Sequence, residues 1–225
     1  MEPMKSKYHL DYPKLTMFQM VERMAGLYPK EPAYEFYGTK TSYSAFIRRI
    51  ERAARAFQAC GITRGDAVTI CLPNVPQALD CFYALNRIGA VANMVHPLSA
   101  QNEITFYLNF SKSKMIVTLD LFYEKVEEAI KQVDHPVTVV MAQIQDELNV
   151  FLKTAYYFKE GRKYSHLPNT DHAMRYTAFL KLGEKNAALP DSVFHPERTA
   201  VILYSGGTSG LPKGICLSDM NFNAC

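Results

Sequence analysis

The 225-residue sequence has no apolar run near the roughly 18 residues that a membrane-crossing helix requires. Residues 1 to 20 carry lysines but no apolar h-region, which argues against a signal peptide. Charge of one sign is also scarce: 25 Lys and Arg against 22 Asp and Glu leave +3. Neither nucleic acid nor an anionic membrane surface is therefore expected as the main partner. The five cysteines (Cys60, Cys71, Cys81, Cys216 and Cys225) are odd in number, with no CxxC or metal-ligand spacing. They read as small buried hydrophobes of a reducing compartment, without a disulfide framework. The six histidines (His9, His96, His135, His166, His172 and His195) show no HExxH and no cluster, so no metal site is expected. Cytoplasm is the expected location.

What is present is an ordinary globular composition, 48% hydrophobic and 21% charged, enough for a sizeable core. A helical spacing of Leu15, Phe18, Val21, Met24 and Leu27 runs up to Pro29. Two short strand-like runs, 33–37 and 41–43, flank Gly38, Thr39 and Lys40 and predict a hairpin. Ser44 is placed to cap a helix with the apolar stripe Phe46, Ile50, Ala53, Ala54 and Phe57. Its other face, Arg48, Arg49, Arg52 and Arg55, reads as a solvated basic face.

From there strand and helix alternate. Strands are predicted at 68–72, 90–95, 115–119 and 137–141. Helices are predicted from Asn74 to Arg87, from Ser99 to Phe110 and from Leu121 to Gln132. Short connections between them argue for βαβ crossovers, hence an α/β fold with a mainly parallel sheet and helices on both faces. The rhythm covers 34–141. It breaks over 142–198, read as a helical insertion (145–159, then Thr170 to Leu182) and a polar linker. It resumes over 199–225 with a strand, a Gly-rich loop, a short strand at 215–217 and a helix start capped by Ser218.

That loop, Tyr204-Ser205-Gly206-Gly207-Thr208-Ser209-Gly210-Leu211-Pro212-Lys213-Gly214, carries the chemistry. Gly206, Gly207 and Gly210 permit positive φ and close approach to an anion. Successive N–H groups make an anion-binding concavity, and Ser205, Thr208 and Ser209 add hydroxyl donors. Lys213 adds a mobile point charge suited to a polyphosphate. It is not a Walker A loop, because Leu211-Pro212 separates Gly210 from Lys213. The dinucleotide pattern GxGxxG is absent as well. A plain turn between two strands needs only one or two special residues, far fewer than stand here.

The segment resembles the phosphate loop of the adenylate-forming superfamily, Tyr/Phe-Thr-Ser-Gly-Thr-Thr-Gly-x-Pro-Lys-Gly. Ser205 stands for the first Thr, Ser209 for the last, and Gly206 replaces a Ser, which removes one hydroxyl. Upstream, Gly65-Asp66-Ala67-Val68 with Leu72-Pro73-Asn74-Val75-Pro76-Gln77 is similar to that family's GDxV…LPNxPE stretch. Gly89-Ala90-Val91 with His96-Pro97-Leu98, and residues 103–118, match two further stretches in the same order. Residues 142–190 match none.

The resemblance implies the N-terminal part of an acyl-CoA-synthetase-like large domain. Such enzymes join a carboxylic acid, here a fatty or other apolar one, to ATP and release pyrophosphate. The acyl-adenylate, with AMP as leaving group, then passes to coenzyme A. A sister reading delivers it to a carrier protein, and a reading of another class is a nucleotide-binding module without turnover. Ser205, Gly206, Gly207, Thr208, Ser209, Gly210 and Lys213 would hold the β- and γ-phosphates by positioning and charge balance. The family's Mg²⁺-binding glutamate, its ribose-binding aspartate and its late catalytic lysine have no counterpart in these 225 residues. The chain therefore reads as a fragment, inactive by itself.

Overall fold

The computed structural model describes residues 11–149, 152–154, 172–185, 188–205 and 212–224. Helix α1, Met17–Leu27, begins at Thr16, whose hydroxyl accepts from the Gln19 N–H at 3.1 Å while the Gln19 amide oxygen accepts from the Thr16 N–H at 2.8 Å. Strands β1, Pro32–Phe36, and β2, Thr39–Ser42, form the expected hairpin. The turn is tighter than the sequence suggests. Phe36 pairs with Thr39, so only Tyr37 and Gly38 turn the chain, with φ of 45° and 77°. Positive φ at both central residues marks a type I′ turn, whose twist matches the flanking strands.

Ser42, two residues before the expected cap, starts α2, Tyr43–Ala59; its hydroxyl accepts from the Ala45 N–H at 3.3 Å. The helix buries the expected stripe, Phe46, Ile50, Ala53, Ala54 and Phe57. Its basic face is not simply solvated. Arg49 forks onto Asp80 at 2.6–3.1 Å and reaches Glu147 at 2.7 Å. Arg52 pairs with Glu184, and Arg55 with Glu51.

The main sheet contains β3 (Ala67–Cys71), β4 (Val91–Met94), β5 (Met115–Leu119), β6 (Thr138–Ala142), β7 (Ala173–Arg175), β8 (Thr199–Ser205) and β9 (Lys213–Ser218). Their spatial order is β7-β6-β5-β3-β4-β8-β9, and only the β8–β9 pair is antiparallel. The intervening helices are α3 (Pro76–Ile88), α4 (Gln101–Ser111), α5 (Tyr123–Ile130), α6 (Tyr176–Leu182) and α7 (Asp219–Asn223). The helices expected to start at Asn74 and Ser99 have Val75 and Ala100 as N-cap residues, one position later; Pro76 opens α3, and the Glu103 carboxylate accepts from the Ala100 N–H at 2.8 Å. Within 142–198, Ile144–Glu147 is a 3₁₀ turn, and a strand, β7, precedes α6.

Side chains alternate along the strands between two cores. Val68, Ile70, Met115, Val117 and Val140 face α1, α2, α3 and α6. Ile116, Val139 and Met141 face α4 and α5. This confirms the α/β class and the helices on both faces. Near α6 the contact with α2 is close: Phe57 and Phe179 meet edge-on with centroids 4.9 Å apart. A Cβ on Gly183 would stand 2.6 Å from the Ala56 backbone nitrogen. Backbone cannot swing aside as a side chain can, so Gly183→Ala is expected to cost about 1–3 kcal/mol by overpacking. Urea unfolding checks this, and an unchanged midpoint would show that α6 is free to move off α2.

Candidate functional site

The strands β3, β4, β5, β6 and β8 all point one way, so their carboxyl ends share one edge. β3 lies centrally. From it the chain moves through α3 to β4 on one side, then returns through α4 to β5 on the other. α3 covers one face and α4 the opposite face. The connections leaving β3 and β4 therefore diverge and leave a crevice, where open α/β sheets bind ligands.

The crevice is there. A cavity of about 470 Å³ is lined by Leu72, Pro73 and Asn74 after β3, by Met94 to Leu98 at the end of β4, and by Phe122 after β5. A second, of about 420 Å³, shares Leu72 to Asn74 and Met94 and extends under the hairpin toward Tyr34, Leu79 and Phe82. His96, of the His96-Pro97-Leu98 stretch, lines the first cavity. It also serves its own loop, since its Nδ1 accepts from the Leu98 N–H at 3.1 Å.

The loop stems stand on the same edge, one strand away. Ser205 ends β8, half-buried, and Lys213 opens β9, exposed; the two are register partners. The residues between them thus leave and re-enter the sheet at one point beside β4. Gly206, Gly207, Thr208, Ser209 and Gly210 lie outside the described residues. Among the described residues Lys213 makes no ion pair. Among the described residues no group of three or more His, Cys, Asp or Glu side chains gathers as a metal site.

One supporting residue escaped the sequence reading. Lys125 donates to the carbonyls of Pro97 at 2.6 Å and Ser99 at 2.9 Å, and so fastens the crevice loop to α5. A lysine on an amphipathic helix gives no signal of such a role. Asp66, in the GDxV stretch, lies at the opposite, amino edge of the sheet. Its carboxylate accepts from the Thr63 N–H and hydroxyl, both at 2.9 Å, and pairs with Lys114 at 2.7 Å. Its work is to fix the entry into β3 beside β5, away from the crevice.

The chain belongs to the AMP-binding enzyme family, whose family model matches residues 21–225. A long-chain-fatty-acid–CoA ligase from Bacillus subtilis (strain 168) is 28% identical over 219 residues, which cover 96% of this chain and 39% of the relative. A crotonobetaine/carnitine–CoA ligase from Proteus mirabilis (strain HI4320) is 28% identical over 208 residues, 90% of this chain and 36% of the relative. Among solved structures, the anthranilate CoA ligase AuaEII in complex with anthranoyl-AMP superposes with a TM-score of 0.74 at 15% identity, over 96% of this chain and 37% of that one. A fatty acyl CoA synthetase from Mycobacterium tuberculosis gives 0.66 at 21% identity, over 91% and 34%. Both structures share this fold. The chain spans 39% or less of the length of these two curated relatives.

Burial alone would raise the pKa of Asp66, but Lys114 and the two Thr63 donors outweigh it and hold the carboxyl below its ordinary value. A carboxylate held low contributes its stability above the unfolded value, near 4, and loses it as pH falls through the folded one. Asp66→Asn is expected to lose about 1–2 kcal/mol at pH 7, by the worth of hydrogen bonds to a charged group. The gap should close between roughly pH 5 and 3. Denaturant titrations across that range decide it; a gap independent of pH would assign the loss to something other than the carboxylate's charge.

Proposed function

We propose that this chain is the phosphate-binding part of an enzyme that activates a carboxylic acid with ATP, forming an acyl-adenylate and pyrophosphate, and then a thioester with coenzyme A. The observation that carries the reading is the placement of Ser205 and Lys213 as the two stems of one loop at the carboxyl edge of a parallel sheet, in a chain of the AMP-binding family. A carboxylate is a poor electrophile because its leaving group would be oxide; adenylation supplies AMP instead. The charge that must be balanced is that of the departing pyrophosphate. Backbone N–H groups of 206–210 with Ser205, Thr208 and Ser209 would hold the β- and γ-phosphates, and Lys213 would offset their charge in the transition state. Magnesium would be held by groups outside this chain and would offset charge on the phosphates; among the described residues no three His, Cys, Asp or Glu side chains gather as a metal site.

The apolar lining of the crevice, Leu72, Met94, Val95 and Phe122, supports an apolar acid over a polar one. Ligases named for long-chain fatty acids among the relatives point the same way. No helix of the described residues is long and apolar enough to cross a membrane. A cytoplasmic location, where ATP and coenzyme A are at hand, accords with the reading.

The test is acid-dependent ATP–pyrophosphate exchange by the full-length protein that carries this chain, with a panel of carboxylic acids. Exchange is expected with long-chain acids and none with the 225-residue chain by itself. Lys213→Ala should lower exchange about 100-fold, the scale of removing one donor from a charge-stabilising site. Nucleotide binding without exchange for any acid would leave a binding module in place of the ligase. Exchange followed by transfer to a carrier protein, with coenzyme A inert, would replace the acceptor.

A further inference from the structure

The centre of β4 holds a residue that an apolar sheet does not need. Asn93 is fully buried, on a strand flanked by β3 and β8. A buried amide costs free energy unless each polar atom finds a partner. Here each does. Its Oδ1 accepts from the Tyr204 hydroxyl at 2.7 Å. Its Nδ2 donates to the Thr69 hydroxyl at 2.8 Å and to the Ser111 hydroxyl at 3.0 Å. Thr69 donates onward to Ser113 at 2.8 Å, and the Ser111 hydroxyl to the Tyr107 carbonyl at 2.7 Å. The network crosses three strands and ends on α4.

Its outer member is Tyr204, which immediately precedes Ser205. The Tyr204 ring lies against Tyr107 of α4, centroids 3.9 Å apart, and meets Phe110 edge-on at 6.0 Å. Across the ladder the register partner of Tyr204 is Gly214, which immediately follows Lys213. Phe110 packs on Gly214 so closely that a Cβ there would stand 2.5 Å from a ring carbon. One face of α4 thus touches the residue just outside each stem of the loop. β9 is otherwise an edge strand, with Ile215 and Cys216 exposed.

We propose that Asn93, with Tyr107 and Phe110 of α4, forms the positioning device of the phosphate loop, fixing Tyr204 and Gly214 and through them the spacing of Ser205 and Lys213. This rests on the reading of 205–213 as a polyphosphate site. A cradle of N–H groups binds a polyphosphate only while the groups converge, and convergence is set by where the two stems leave the sheet. These are positioning residues; none touches the nucleotide. The consequence is selective. ATP affinity depends on a hydrogen bond made below the loop, whereas AMP, which carries no β- or γ-phosphate, is indifferent to it.

The experiment measures ATP and AMP affinities of the full-length protein by calorimetry. Tyr204→Phe keeps the ring on Tyr107 and removes only the donor, so it is the variant least prone to misfolding; a thermal melt accompanies it. ATP affinity is expected to fall about 5- to 10-fold, the scale of one hydrogen bond, and AMP affinity less than about 2-fold. Gly214→Ala should do the same, and adding Phe110→Ala should restore part of the loss by vacating the space the new Cβ needs. Equal changes for ATP and AMP, or none, in Tyr204→Phe would overturn the proposal and leave a core network with no bearing on the loop. A parent protein whose affinity for ATP does not exceed that for AMP would instead overturn the phosphate-loop reading beneath it.

Discussion

Everything in this molecule depends on the requirement that a parallel sheet be covered on both faces. Parallel neighbours cannot be joined by a hairpin, so each junction takes a crossover helix, and each helix must lie on one face or the other. With β3 in the middle, the chain covers the first face through α3 and then, after β4, the second through α4. Loops that part in this way leave space between them. The crevice at Leu72–Asn74 and Val95–Leu98 is therefore a by-product of covering the sheet rather than an excavation of the core. The same constraint delivers β8 beside β4, which brings Ser205, the last residue of β8, to the same edge of the sheet.

At a few points buried polar groups are paired with partners distant in sequence. Arg49 of α2 forks onto Asp80 of α3 and reaches Glu147, so the first face is pinned by an ion pair with one end in the core. Such a pair adds less to net stability than its short distances suggest, because both charges leave water; removing one partner alone is far more damaging. Asp219 plays a comparable part at the start of α7, accepting from Asn86 at 2.7 Å and from Arg198 at 2.7 Å.

The fold was legible where periodicity is strong. The stripe of α2, the fully buried strands β3 and β5, and the Ser218 cap stand where the pattern places them. The misplaced features have local causes, such as two polar residues of similar capping strength standing close together. Ser42 and Ser44 are both good caps, and only the register of the hairpin decides between them. β7 has three residues and no alternation to show, and it exists because β6 offers an open edge. Ser205 and Lys213 stand as register partners on the carboxyl edge, and residues 206–210 lie outside the described ones. The contacts of Asn93 and Lys125 were illegible in the sequence because their partners are contributed by other elements.

The two ends of the described chain are held together. Asn223 of α7 donates to the carbonyls of Pro13 at 2.6 Å and Leu15 at 2.8 Å, and Asp219 accepts from the Met17 N–H at 3.2 Å. These partners are more than 200 residues apart in sequence. On a ribosome adding about 5–20 residues per second, α1 leaves the exit tunnel tens of seconds at most before its partner on α7 is made. During that interval its amino end lacks the carboxylate that will complete it. The βαβ units, whose contacts are nearer in sequence, can close first, and the amino-terminal helix is the piece that waits.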